Sequence, residues 1–320
     1  MRHHTRSILI GAAVAGAAGV VAQRSRADEV RRRISWTPGG GTLHDGALHA
    51  RTLGTGASGF VLLHGLGASN AYWGAAFDTL ARSGRLIVPD LLGFGASPRP
   101  ASGYTADDHV RAITALLDEL GVTGPVVVGA HSLGGLLALA LAERRPELVA
   151  GVVAFCPPLY PDERTGRERI ARLGWLERQL ATDGPWAEAA CAWMCAHRRA
   201  AATLACAVRP GLPSAICRDG VQHSWASYSE TFRHVLAAAE GGRWLASLRV
   251  PVELIAGSDD PVTDLGYLRR LGEELPHVTL TVRDGTDHDL PLTDPVGAVA
   301  ALSRAVRLLG ADRPSGDGDV

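Results

Sequence analysis

Along the chain, short unbroken apolar runs alternate with longer stretches whose apolar residues recur every three or four positions. The runs are FVLLH (60–64), RLIVPD (85–90), PVVVGA (125–130) and LVAGVVAFC (148–156), then, after a long gap, VPVELIAG (250–257) and VTLTV (278–282). Runs of this kind, bounded by turn residues, predict strands buried on both faces. Between them, SNAYWGAAFDTLARSG (69–84), YTADDHVRAITALLDELG (104–121), LGGLLALALAERR (133–145) and the stretches 262–275 and 295–309 read as helices. Thr105 offers an N-cap, Gly121 a stop, and Pro146 ends the helix before it. Upstream, TLHDGALHARTL (42–53) alternates around Asp45-Gly46 and predicts a hairpin. Buried strands separated by helices predict a mostly parallel central sheet flanked by helices.

The rhythm stops at Pro157-Pro158. Residues 158–246 carry helical patterns, no strand pattern, and five of the seven tryptophans: Trp175, Trp186, Trp193, Trp225 and Trp244. The organisation read from this is one α/β core, 36–157 and 247–310, with an all-helical lid, 158–246, inserted after the fourth buried strand. The tail ADRPSGDGDV (311–320) reads as disordered. Residues 1–35 stand apart: a basic start, fifteen uncharged residues at 8–22, then Arg24, Arg26 and Arg31 to Arg33. Three readings stand, a signal peptide, a membrane anchor through residues 8–22, and a start codon placed too early. They leave cytoplasmic, membrane-associated and exported locations open.

Composition narrows the chemistry. Thirty-two Lys+Arg against 33 Asp+Glu give a net charge of −1, so charge offers no case for nucleic acid. Every basic side chain of the first kind is arginine, which excludes a lysine nucleophile or Schiff base. Five cysteines, Cys156, Cys191, Cys195, Cys206 and Cys217, form neither an even set nor a CxxC pair, so they predict buried thiols rather than a disulfide framework or a zinc motif. Cys191 and Cys195 share a helix face. No cofactor is expected.

One joint between a strand and a helix stands out: GAHSLGG (129–135). A serine at the carboxyl end of a parallel strand faces the crevice where sites form, and the next helix points its free N–H groups there. Such a tight turn needs small residues two positions either side, here Ala130 and Gly134. Ser132 is therefore either a nucleophile or a plain helix cap. A serine nucleophile needs an imidazole base and a carboxylate to orient it. Asp259 and Asp260 follow the run 250–257, and His288 follows 278–282, in the chain order Ser, Asp, His. Developing negative charge on the substrate would need two backbone N–H donors. Leu133 is one candidate and Leu66, in the glycine loop HGLG (64–67), the other.

HGLGASNAYW (64–73), DLLGFGASPRP (90–100), GAHSLGG, GSDDPVT (257–263) and GTDH (285–288), taken in this order, resemble the α/β-hydrolase fold family in its capped branch of esterases, C–C bond hydrolases and cofactor-free perhydrolases. The resemblance spans residues 42–310. It departs at Ala130, where the family has glycine. It implies Asp260 rather than Asp259 as the acid, His288 as the base, and a structural role for Asp90. Family members that act on haloalkanes or epoxides use an aspartate nucleophile, and position 132 is serine.

Trp175, Trp193, Met194, Trp225 and Tyr228 are either the lining of an apolar substrate pocket or the lid's own core. RTGRERIAR (164–172) and AHRRA (196–200) read as solvated helix faces, or as recognition elements for a carboxylate or thioester. The expected function is a serine hydrolase cleaving a carboxylic ester, thioester or lactone of a hydrophobic small molecule. The alternatives are a C–C bond hydrolase or perhydrolase with the same triad, and a non-catalytic ligand-binding receptor.

Overall fold

The computed structural model describes residues 36–172, 178–179, 186–209 and 211–311. Eight strands form one sheet: β1 Thr42–Asp45, β2 His49–Leu53, β3 Gly59–Leu63, β4 Arg85–Pro89, β5 Val126–His131, β6 Val149–Phe155, β7 Val252–Gly257 and β8 Val278–Arg283. Their spatial order is β1-β2-β4-β3-β5-β6-β7-β8, with the β1–β2 and β2–β4 pairs antiparallel and the remaining pairs parallel. The chain enters at the β1–β2 edge, places β4 between β2 and β3, and from β5 onward adds strands one after another on the far side of β3. This leaves β5 near the centre, hydrogen-bonded to β3 on one side and β6 on the other.

Alternation explains why the apolar runs are unbroken. Val61, Leu63, Val128, Ala130, Val152, Ala154, Leu254 and Ala256 enter one core, and Phe60, Leu62, Val127, Val153, Phe155 and Ile255 enter the other. Successive side chains point to opposite faces, and both faces are covered. The first core is closed by α1 (Ala106–Glu119) and α2 (Leu133–Arg144). Thr105 caps α1 through a reciprocal pair with Asp108, and Gly121 beyond its end has φ +66°.

The elements described between β6 and β7 are helical: α3 Glu163–Ile170, α4 Ala187–Ala196, α5 Arg198–Val208, α6 Ser214–Asp219, α7 Trp225–Thr231 and α8 Gly241–Ser247, with a wide turn at Phe232–Leu236. Then α9 (Leu265–Glu274) follows β7, and α10 (Leu290–Thr293) and α11 (Pro295–Ala311) follow β8. No helix among the described residues is long and apolar enough to cross a membrane. The expectations for residues 1–35 and the tail from 312 lie outside the described residues, as does Trp175.

One expected helix differs. Residues 69–84 form two 3-10 segments, Asn70–Tyr72 and Ala75–Arg82, not a single α-helix. Gly74 between them is extended, and a Cβ there would lie 2.6 Å from the Thr37 carbonyl oxygen and 2.7 Å from Trp36 Nε1. The approach of the irregular segment at Trp36 and Thr37 therefore splits these residues. Trp73 and Phe77 still meet edge to face at 4.8 Å, both buried.

Candidate active site

Three loops at the carboxyl ends of β5, β7 and β8 converge. Ser132 follows β5 with φ +52° and makes no capping hydrogen bond to α2, so the helix-cap reading does not describe its side chain. Its amide donates to the Phe155 carbonyl at 2.9 Å, which fixes the turn to β6. Gly134 is required by space: a Cβ there would sit 2.5 Å from the Leu63 carbonyl oxygen and 2.7 Å from that of His64. The same tightness is met at position 130 by alanine, which is fully buried.

Ser132 Oγ lies 3.0 Å from His288 Nε2, and His288 Nδ1 lies 2.9 Å from Asp260 Oδ2. Asp260 is buried and Asp259 is exposed, so the geometry separates the two adjacent carboxylates. Asp260 Oδ1 accepts from the amides of Val262 (2.8 Å) and Thr263 (3.3 Å), and the Thr263 hydroxyl donates to Oδ2. Burial alone would raise the carboxyl pKa. The hydrogen bond and charge of His288, with Thr263 and Val262, outweigh burial and hold it well below the ordinary carboxylate range.

The Leu66 loop passes close by. A Cβ on Gly65 would lie 3.2 Å from Ser132 Cβ, one residue before Leu66. His64 sets this loop: its Nε2 accepts the Leu91 amide at 2.9 Å, so its Nδ1 carries the proton donated to the Gly65 carbonyl. Asp90 accepts the amides of Asn70 (2.6 Å) and Ala96 (2.7 Å), tying the same rim together. Leu133, at the first turn of α2, is fully buried.

The five aromatic and methionine candidates separate. Tyr228 is buried and leans on the glycine loop, with its Cε2 3.3 Å from where a Gly67 Cβ would be. Trp225 is partly buried against the main core, with the Arg233 guanidinium over its ring at 5.9 Å. Trp193 is 45 % exposed and stacks on His197. Met194 packs on Ala201, Ala202 and Val221, a small core within the helical segment.

His131 is the residue that sequence reasoning passed over. Its Nε2 bonds to the His288 carbonyl at 2.8 Å, and its ring stacks on Tyr72 with centroids 4.5 Å apart. It supports the His288 loop from below. Its position directly before Ser132 is the signal that could have found it.

Burial lowers the pKa of His64, of His109 to about 4 and of His131 to about 3. All three are neutral in the fold at neutral pH. Below the unfolded value of about 6.5 the unfolded chain binds protons that the folded chain refuses. Stability is therefore expected to fall as pH drops from about 6.5 towards 4, by about 1.4 kcal/mol per pH unit for each histidine inside its window. Urea midpoints at pH 7, 6 and 5 check this; a midpoint unchanged down to pH 5 contradicts it.

A family model described as alpha/beta hydrolase fold matches residues 60–295. The provisionally named carbamate hydrolase RutD of Pseudomonas syringae pv. syringae (strain B728a) is 30% identical over 249 residues, 76% of this chain and 91% of that protein. The provisionally named lysophospholipase BODYGUARD 3 of Arabidopsis thaliana is 41% identical over 107 residues, 32% of this chain, and the match spans only 21% of that protein. Among solved structures, E-2-(acetamidomethylene)succinate hydrolase superposes with a TM-score of 0.65 at 20% identity, over 81% of this chain and 95% of the other.

Proposed function

This chain belongs to the alpha/beta-hydrolase fold family, and from that premise we propose that it is a serine hydrolase that cleaves a carboxylic ester, thioester or lactone of a hydrophobic small molecule. The observation that carries the reading is the unbroken chain of hydrogen-bond distances from Ser132 through His288 to Asp260.

In this reading the Ser132 hydroxyl attacks the substrate carbonyl carbon while His288 Nε2 takes its proton. Asp260 holds the other ring nitrogen protonated and stabilises the imidazolium that forms. The amides of Leu133 and Leu66 face the oxyanion, each worth about 3 kcal/mol in the transition state. His288 then hands its proton to the departing alcohol or thiol, leaving an ester on Ser132. Water, deprotonated by the same imidazole, releases the acid and restores the hydroxyl. The proton inventory closes within these groups and water. With no carboxylate at 132, the alkyl-enzyme ester that dehalogenases form on aspartate is not available to this site.

Residues 158–246 are proposed as the lid. Tyr228 against Gly67 supports that role, because it sets an aromatic face beside the oxyanion loop, which suits an apolar acyl or ring group. The non-catalytic receptor reading needs none of the three aligned groups.

A fluorophosphonate probe tests the proposal. It is expected to label the chain once, at Ser132 by peptide mapping, with labelling suppressed by a p-nitrophenyl ester that the chain turns over. Failure to label Ser132, together with no turnover of esters, thioesters or lactones, would leave a ligand-binding fold.

A further inference from the structure

Away from Ser132, α4 and the loop before α7 bring together three groups that the proposed chemistry does not use. Cys191 and His223 are buried and Cys195 is half-buried. Cys191 Sγ lies 4.0 Å from Cys195 Sγ and 3.6 Å from His223 Nδ1, and the three atoms all lie within 4.8 Å of one another. From these distances we propose that Cys191, Cys195 and His223 form a binding site for one zinc ion.

Bond lengths decide between the chemistries open to such a trio. Tetrahedral zinc with Zn–S of about 2.3 Å and Zn–N of about 2.0–2.1 Å places two sulfurs roughly 3.8 Å apart and a sulfur and nitrogen roughly 3.6 Å apart. The observed edges of 4.0 and 3.6 Å lie close to these values, and the third, from Cys195 Sγ to His223 Nδ1, is within 4.8 Å, so side-chain adjustment alone closes the set. A disulfide would need the sulfurs at about 2.05 Å, and residues one helical turn apart reach that only if the helix deforms. The one-turn spacing on α4 points both thiols along a single face, and His223 arrives from a separate segment, so the site joins two parts of the chain.

Charge fits as well. Zn2+ displaces one proton from each thiol to solvent, and two thiolates, a neutral imidazole and the dication sum to zero. A neutral set is the form that burial tolerates. Three protein ligands leave the fourth tetrahedral position to water. Arg198 already links the same two segments, donating from Nε to the Cys195 carbonyl and from Nη1 to the Gln222 side chain. The His223 ring lies 4.9 Å from that of Tyr228, which rests on Gly67. Zinc would therefore tie α4 to the segment lying against the glycine loop. The proposal does not depend on the serine hydrolase reading.

The test uses the full chain, reduced, stripped by a chelator and titrated with Co2+ and then Zn2+ without oxygen. One equivalent of Co2+ is expected to give thiolate charge-transfer bands and tetrahedral visible bands, both removed by one equivalent of Zn2+. Cys191→Ser, Cys195→Ser and His223→Asn are each expected to weaken binding beyond the roughly 10- to 100-fold loss typical of removing an outer-shell partner. Cys206→Ser is expected to bind as the parent does. A measurement free of variants accompanies it: Zn2+ is expected to slow alkylation of Cys195 but not of Cys206. Absence of the thiolate bands, their persistence in both α4 variants, or equal alkylation of Cys195 with and without Zn2+ would overturn the site. Binding abolished by His288→Asn but not by Cys191→Ser would also overturn it, since Cys156, Asp260 and His288 offer ligand atoms equally close together.

Discussion

Ser132→Ala is expected to lower kcat for a p-nitrophenyl ester by about 10^6-fold, the loss seen when the nucleophile of such a set is removed. Remaining turnover should still exceed that in water, because the amides of Leu66 and Leu133, proposed to hold the oxyanion, survive. The variant should keep its fold. The hydroxyl makes no hydrogen bond that holds the turn, and alanine meets the same backbone constraint as serine. That constraint gives a second readout. At φ +52° any side chain is strained, at a cost on the order of 1–3 kcal/mol. Ser132→Gly should therefore be as inactive as the alanine variant, yet unfold at higher denaturant. Parent-like turnover in either variant, with correct folding shown by circular dichroism, would remove Ser132 from the reaction.

Asp260→Asn is the sharper test of the orienting carboxylate, with an expected fall of about 10^4-fold in kcat. The direction follows from the hydrogen-bond pattern. Oδ1 of Asp260 accepts two amides, from Val262 and Thr263, so an asparagine places its carbonyl oxygen there. Its NH2 then faces His288 Nδ1 and donates to it. The imidazole must carry its proton on Nε2, pointed at Ser132 Oγ, and can no longer accept the hydroxyl proton. Asp259→Asn, changed one residue away on an exposed side chain, should stay within about twofold of the parent, as surface changes usually do. Steady-state kinetics on the pair checks both. An Asp260→Asn enzyme within tenfold of the parent would exclude an orienting role.

The pattern of apolar runs was enough to read the parallel sheet because β3 to β7 lie between two buried faces, so even a single sequence shows them as continuous, while β8 at the edge is largely half-buried. The order of Ser132, Asp260 and His288 was legible for a related reason: each lies in the loop after such a run, and the family resemblance separated Asp260 from Asp259. Less was legible where contacts distant in sequence decide. Residues 69–84 have helical spacing, but the approach of Trp36 and Thr37 to Gly74 divides them. Trp193 and Met194 looked equivalent to Tyr228 as aromatic or flexible apolar side chains in a helical stretch. Only the packing of the helices separates the one that leans on Gly67 from those that serve the segment itself. His131 was set aside because a neighbour of the nucleophile on a tight turn points away from it, and its bond to the His288 carbonyl is invisible without the fold.

The sheet order also has a mechanical consequence. Ser132 issues from β5, clamped on both sides by parallel partners, whereas His288 issues from β8, which ends the sheet and has a partner on one side only. An end strand peels more readily than an inner one. In the proposed mechanism the proton acceptor is therefore mounted on the looser frame and the attacking oxygen on the stiffer one. A small excursion of β8 would disarm the enzyme while nearly all of its architecture stayed intact, so resilience of the activity should track how firmly that outermost strand is held.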